Sequence, residues 1–142
     1  MINDKRVNIN DFAVSNYHGE VIFYENSDPG LSTIYQEKDL IESKSGQYSV
    51  KVINFQDYLT ENKIEKIDYL KIDCEGAEYD IIDSLDEQYL SNNIRKICIE
   101  YHNHLHDDRV KKMINKISDC GFQIQLPTSP DSPIGMLRAK KL

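Results

Sequence analysis

From Arg6 to Val14 apolar and polar positions alternate, the period of a half-buried strand, and Asn16-Tyr17-His18-Gly19 then supplies turn chemistry before a second strand, Glu20 to Tyr24. Ser27-Asp28-Pro29-Gly30 reads as another turn, and Ser32 to Tyr48 shows no sustained period, which predicts a loop long enough to serve as a lid. Ser49 to Ile53 predicts a strand. Asn54 then caps a short helix carrying Phe55, Tyr58 and Leu59 and ending near Asn62. Tyr69 to Asp73 is a strand running into a tight turn at Glu75-Gly76, after which Tyr79, Ile82 and Leu85 recur at helical spacing. Ile94 to Tyr101 is a further buried strand. Val110, Met113, Ile114 and Ile117 mark one helix face, closed by Cys120-Gly121. Phe122 to Leu126 begins another strand, Pro127, Pro130 and Pro133 interrupt regular structure, and Gly135 to Ala139 returns as an antiparallel edge strand.

Strands alternating with helices predict an α/β fold: a mostly parallel sheet, covered by helices on both faces, with an antiparallel C-terminal edge strand. Ligands in such sheets bind beyond the carboxyl ends of the strands. At 142 residues, one domain is expected over 1–142.

Composition removes several function classes. A net charge of −7, with no basic stripe interleaved with aromatics, argues against nucleic acid as a partner. No apolar run is long enough to span a bilayer, and Met1 to Arg6 is not followed by an apolar leader core, so a cytoplasmic location is expected. Cys74, Cys98 and Cys120 match neither a zinc knuckle nor a disulfide framework, and reduced core thiols are the expectation.

Chemistry concentrates in two places. Asp68 to Glu78 packs four acids and Lys71 around the end of an otherwise buried strand. Asp73 lies at its carboxyl end, Glu75 can turn to the same side, and Gly76 permits the sharp turn. A purely structural role is the alternative there, with Lys71 paired to a neighbouring carboxylate and Glu75 and Glu78 placed at a helix N-terminus. The second cluster, Glu100-Tyr101-His102-Asn103-His104-Leu105-His106, closes the next strand and supplies a carboxylate and an imidazole suited to general-base work. A Glu100–Lys71 ion pair, and a solvated loop for His104 and His106, are the structural alternatives. The alternating histidines lack a ligand spacing that would specify a metal, and none is expected.

The run Tyr69-Leu70-Lys71-Ile72-Asp73-Cys74-Glu75-Gly76-Ala77-Glu78, followed by Ile82, resembles the signature of FkbM-family methyltransferases. Supporting segments resemble the family in its own order: Asn10 to Ser15, Gly19-Glu20-Val21, the Ser-rich Leu31-Ser32-Thr33, Val52 to Leu59, Ile99 to His102, and Cys120-Gly121-Phe122. The resemblance implies a Rossmann-like class I fold and S-adenosylmethionine as cofactor. It further implies methylation of a hydroxyl on a small-molecule, sugar or lipid-like acceptor. By motif position it makes Asp73 and His102 candidate bases. Glu75 and Glu100 then orient substrate or the cofactor ammonium, Lys71, Glu78 and Ser32 contribute on the substrate side, and Phe12, Ala13 and Asp73 lie toward the cofactor.

A complete enzyme of that kind opens with a strand, a Gly-rich turn and a second strand ending in an acid. Glycines 19, 30, 46, 76, 121 and 135 form no such loop. The expectation is therefore a domain truncated at its N-terminus, with a gap between the strand near Val7 and the strand near Leu70, so that the first strand pairs elsewhere or frays. Two other functions compete: a non-catalytic module that oligomerises through an exposed sheet edge, and a metal-dependent hydrolase built on Asp73, Glu75 and His102.

Overall fold

A computed structural model describes residues 5–26, 44–103 and 108–141. The Ser27–Gly30 turn, Ser32 with most of the proposed lid, and His104 and His106 lie outside the described residues. Among the described residues, the elements follow one another as β1 (Ala13–Ser15), β2 (Gly19–Asn26), β3 (Lys44–Asn54), α1 (Phe55–Glu61), β4 (Leu70–Asp73), α2 (Glu78–Ser84), α3 (Glu87–Asn93), β5 (Lys96–His102), α4 (Arg109–Asp119), β6 (Gln123–Gln125) and β7 (Ile134–Lys140).

Among the described residues the strands form two sheets, ordered β1-β3-β2 and β4-β5-β7-β6. The fold is α/β, but the sheets are not mostly parallel. β1 with β3 and β4 with β5 run parallel, while β2 with β3, β5 with β7, and β6 with β7 run antiparallel. Nor is β7 an edge strand. It is antiparallel as expected, yet it lies between β5 and β6, pairing Tyr101 with Gly135 on one side and Ile124 with Ala139 on the other. Its burial alternates. Gly135, Leu137 and Ala139 bury one face against the core, while the backbone of β7 pairs with β5 on one side and β6 on the other.

The first strand is far shorter than its alternation suggests. Only Ala13–Ser15 find a ladder, against Val52 to Asn54 of β3. Val7 and Ile9 remain 47% and 72% exposed, because periodicity without a partner strand yields no structure. β3 begins at Lys44, well before the expected Ser49, since the backbone of β2 pairs with it from Gly19↔Val52 to Asn26↔Lys44 despite its polar sequence. Asn54 caps α1 as expected: its side chain accepts from the Asp57 amide and donates to the Asn16 carbonyl, tying the turn after β1 to the helix. α3 was not legible in the periodicity. Leu90 is its one buried residue, so it presents no apolar stripe, and it starts because Asp86 accepts from the Tyr89 amide.

One continuous core joins the helices to the second sheet. Ile72, Ile97, Ile99, Tyr101, Leu137 and Ala139 pack with Tyr79, Ile82, Leu85, Leu90, Val110, Met113 and Ile117. Burying such aliphatic side chains stabilises by roughly 1.5–3 kcal/mol each. The expected covering of both faces does not hold among the described residues. Lys71, Asp73, Lys96, Arg138 and Lys140, which alternate with the core positions, stay exposed. Cys98 and Cys120 are buried free thiols, but Cys74 is exposed, because it sits just past the end of β4 where the chain leaves the core.

Candidate active site

β4 and β5 are parallel neighbours with Asp73 opposite Glu100 and Ile72 opposite Ile99, so their carboxyl ends emerge side by side. Beyond β4 the backbone turns sharply: Glu75 adopts φ 51 and Gly76 φ 109, both left-handed. That conformation is natural for Gly76 and uncommon for a residue with a side chain.

The turn is held from inside by Glu78, which is 0% exposed. Its Oε1 accepts from the Cys74 amide at 3.0 Å and the Gly76 amide at 3.1 Å, and its Oε2 accepts from the Gly76 amide at 3.0 Å. The same carboxylate meets Nδ1 of His102 at 2.9 Å, and His102 is itself only 2% exposed. The Tyr79 hydroxyl donates to the His102 carbonyl at 2.9 Å, fixing the end of β5 against α2. With Nδ1 engaged, the opposite ring nitrogen, Nε2, faces Glu75 Oε2 across 3.4 Å.

Electrostatics follow from this contact set. Burial alone would push the Glu78 carboxyl up, but hydrogen bonds from His102, Gly76 and Cys74 outweigh it and hold the group below its ordinary value. The Glu78 hydrogen bond raises the His102 pKa against the opposing effect of burial, and the charges of Glu78, Glu75 and Asp73 add to the rise. Lys71 donates to Asp73 Oδ2 at 2.9 Å with both side chains well exposed. Glu100 is half-buried beside them on β5, and the cation that was its alternative partner is committed to Asp73.

The structure therefore brings Asp73, Glu75 and His102 together, with one potential ligand atom of each lying within 4.8 Å of the others. Lys71 and Glu100 flank them, and Glu78 lies beneath. Phe12 and Ala13 stand on the other sheet. There Phe12 packs its ring 5.5 Å from that of Tyr58, Ala13 pairs with Val52, and Ser15 at the strand end is buried beside Asp80. Two further residues belong to this region without having stood out in the sequence. Tyr79 anchors the end of β5. Asn103, directly after His102, is 4% exposed, and its Oδ1 has no partner among the described residues. The helical spacing of Tyr79 marked it only as a core residue, and Asn103 was read only as part of the run from Glu100 to His106, with no role of its own.

The carboxyl ends of adjacent parallel strands are where α/β proteins bind cofactor and substrate, and here they carry an acidic cluster. The chain belongs to the family of the methyltransferase FkbM domain, whose profile matches residues 2–124, and it is thereby placed among the methyltransferases. No curated protein and no solved structure matches it at a significant level. The matched stretch ends at Ile124, ahead of β7, the strand that lies between β5 and β6.

Proposed function

We propose that this protein transfers a methyl group from S-adenosylmethionine to a hydroxyl of a small-molecule, sugar or lipid-like acceptor, at the carboxyl ends of β4 and β5. The observation that carries the reading is the convergence of Asp73, Glu75 and His102 at that point of a methyltransferase domain.

The donor set suits the cofactor in its charge. Asp73, Glu75, Glu78 and Glu100 outnumber Lys71 and His102, and a net negative cluster favours a ligand bearing a sulfonium and an ammonium. The turn before α2 offers no amide for a ligand anion at Gly76, because Glu78 occupies that N–H. Glu100, half-buried beside Asp73, is assigned to the positive groups of the cofactor, and Phe12 and Ala13 to the adenine side. When bound, S-adenosylmethionine supplies an electrophilic methyl group. Asp73, exposed at the strand end, takes the acceptor hydroxyl proton as the oxygen forms its bond to the methyl carbon and the carbon–sulfur electron pair returns to sulfur. His102 is fixed too deeply to travel, and it holds Glu75 in place.

Calorimetric titration with S-adenosylhomocysteine tests this reading. Saturable binding at one site, weakened by Asp73→Asn, is expected; a flat titration overturns it.

A second reading is favoured by the edge of β4, whose outer side pairs with no strand among the described residues. An open edge invites pairing with a second copy of the chain. A defined dimer in sedimentation, lost on placing proline at Leu70, supports that reading; a monomer at all concentrations removes it.

A further inference from the structure

We propose that Asp73, Glu75 and the Nε2 atom of His102 form a binding site for one divalent first-row cation, such as Mn²⁺ or Zn²⁺, at the carboxyl ends of β4 and β5. The site goes beyond methyl transfer, which by itself requires no metal.

The first support is the donor set. One imidazole and two carboxylates converge from three backbone positions, a strand end, a left-handed turn and the next strand end, with their ligand atoms within 4.8 Å of one another. Ligands bound at about 2.0–2.2 Å from one ion sit about 3 Å apart, so a modest contraction completes the set. Of the three, Asp73 and Glu75 are the more exposed, at 47% and 36% of the side chain, and His102 is the most enclosed. A nitrogen with two carboxylate oxygens favours Mn²⁺, Fe²⁺ or Zn²⁺ over Ca²⁺ and Mg²⁺, which prefer oxygen throughout.

The second support is the imidazole itself, which takes the site beyond a surface cluster of acids. His102 is sealed from solvent and its ring is locked by the Nδ1 contact to Glu78, so Nε2 is aimed at the side where Asp73 and Glu75 stand. Carboxylate, imidazole and metal in series is how protein sites orient a histidine ligand, and the outer carboxylate sharpens both its direction and its basicity. Glu78 also clamps the Cys74 and Gly76 amides, so the group that aims the ring holds the turn that presents Glu75. Glu75 keeps φ 51 although it has a side chain, and this is the conformation that brings its carboxylate to Nε2.

Lys71 competes for Asp73. Lys71 bonds Asp73 at 2.9 Å, but both groups are solvated and the pair lies on a single strand, so a dication displaces the ammonium without disturbing the fold. On the methyl-transfer reading, the open coordination positions would receive the acceptor hydroxyl and lower its pKa, releasing the proton to Asp73 or to water. That role rests on the reading; cation binding does not.

The test is calorimetry of the chelator-treated, dialysed protein with MnCl₂, paired with the electron paramagnetic resonance signal of free Mn²⁺. One equivalent is expected to bind, with Asp73→Asn and Glu75→Gln each weakening it tenfold or more and Asp68→Asn, at the far end of β4, leaving it unchanged. The two carboxylate variants are used because a change at buried His102 risks unfolding. No stoichiometric binding, or equal affinity in all variants, overturns the proposal. Chelated protein that binds S-adenosylhomocysteine but not Mn²⁺ rejects the metal site and keeps the methyltransferase reading; Mn²⁺ binding without cofactor binding does the reverse.

Discussion

Glu78 and His102, twenty-four positions apart in the chain, are both almost completely buried and share a 2.9 Å hydrogen bond beneath the ends of two parallel strands. The pair organises everything above it: the left-handed turn at Glu75-Gly76, the direction of the imidazole, and the docking of α2 on β5.

Removing one partner of such a pair leaves the other buried and uncompensated. Glu78→Ala strips His102 of its acceptor and releases the Cys74 and Gly76 amides. A loss of about 3–5 kcal/mol is expected, read as a lowered urea midpoint at unchanged slope.

The same pair sets a pH window in chelator-treated protein. Glu78 has a folded pKa below 4.5, so its contribution is present above 4.5 and lost as pH falls through the folded value. His102 has a folded pKa above 6.5, so its contribution is complete below 6.5 and lost as pH rises through the folded value. The stabilisation from the pair is therefore largest between 4.5 and 6.5. Melting temperatures measured across that range should fall on both sides, and the alkaline fall should be absent from His102→Gln.

Asp73 separates stability from activity. Among the described residues its hydrogen-bond partner is Lys71, in a solvated pair of a kind contributing about 0–1 kcal/mol, so Asp73→Asn should melt within a few degrees of the parent. Methyl transfer, followed as S-adenosylhomocysteine release, should drop at least tenfold. Equal activity in the variant would remove Asp73 from the mechanism.

Gly135 is required by close approach. It pairs with Tyr101 across β5 and β7, and a Cβ at this position would overlap the Tyr101 phenol, whose hydroxyl donates to the Ser129 carbonyl at 2.9 Å. Gly135→Ala should destabilise by about 1–3 kcal/mol. Tyr101→Phe combined with Gly135→Ala should recover little, because the ring carbons overlap as well.

Legibility was greatest where local rules suffice. The strand into Asp73, the turn at Gly76, the Asn54 cap, and the α4 stripe of Val110, Met113 and Ile117 closed by Gly121 at φ 83 all follow from spacing and turn chemistry within a few residues. The site was legible as a list, since Asp73, Glu75 and His102 all stand at strand ends or the turn between. Its depth was not: Glu78 reads as one more acid near a helix start, and only packing shows it wholly enclosed.

What the chain determined by itself is the order of elements around the Asp73 to Glu78 motif and the family to which that motif points, because hydrophobic period and turn residues act over a few positions. Tertiary structure decided the rest. It divided the strands between two sheets, set β7 inside rather than at the rim, left Val7 and Ile9 without a ladder, and joined Glu78 to His102. Strand order, register and buried polar pairing depend on which distant surfaces meet, and a one-dimensional pattern of apolar and polar positions is compatible with several such arrangements.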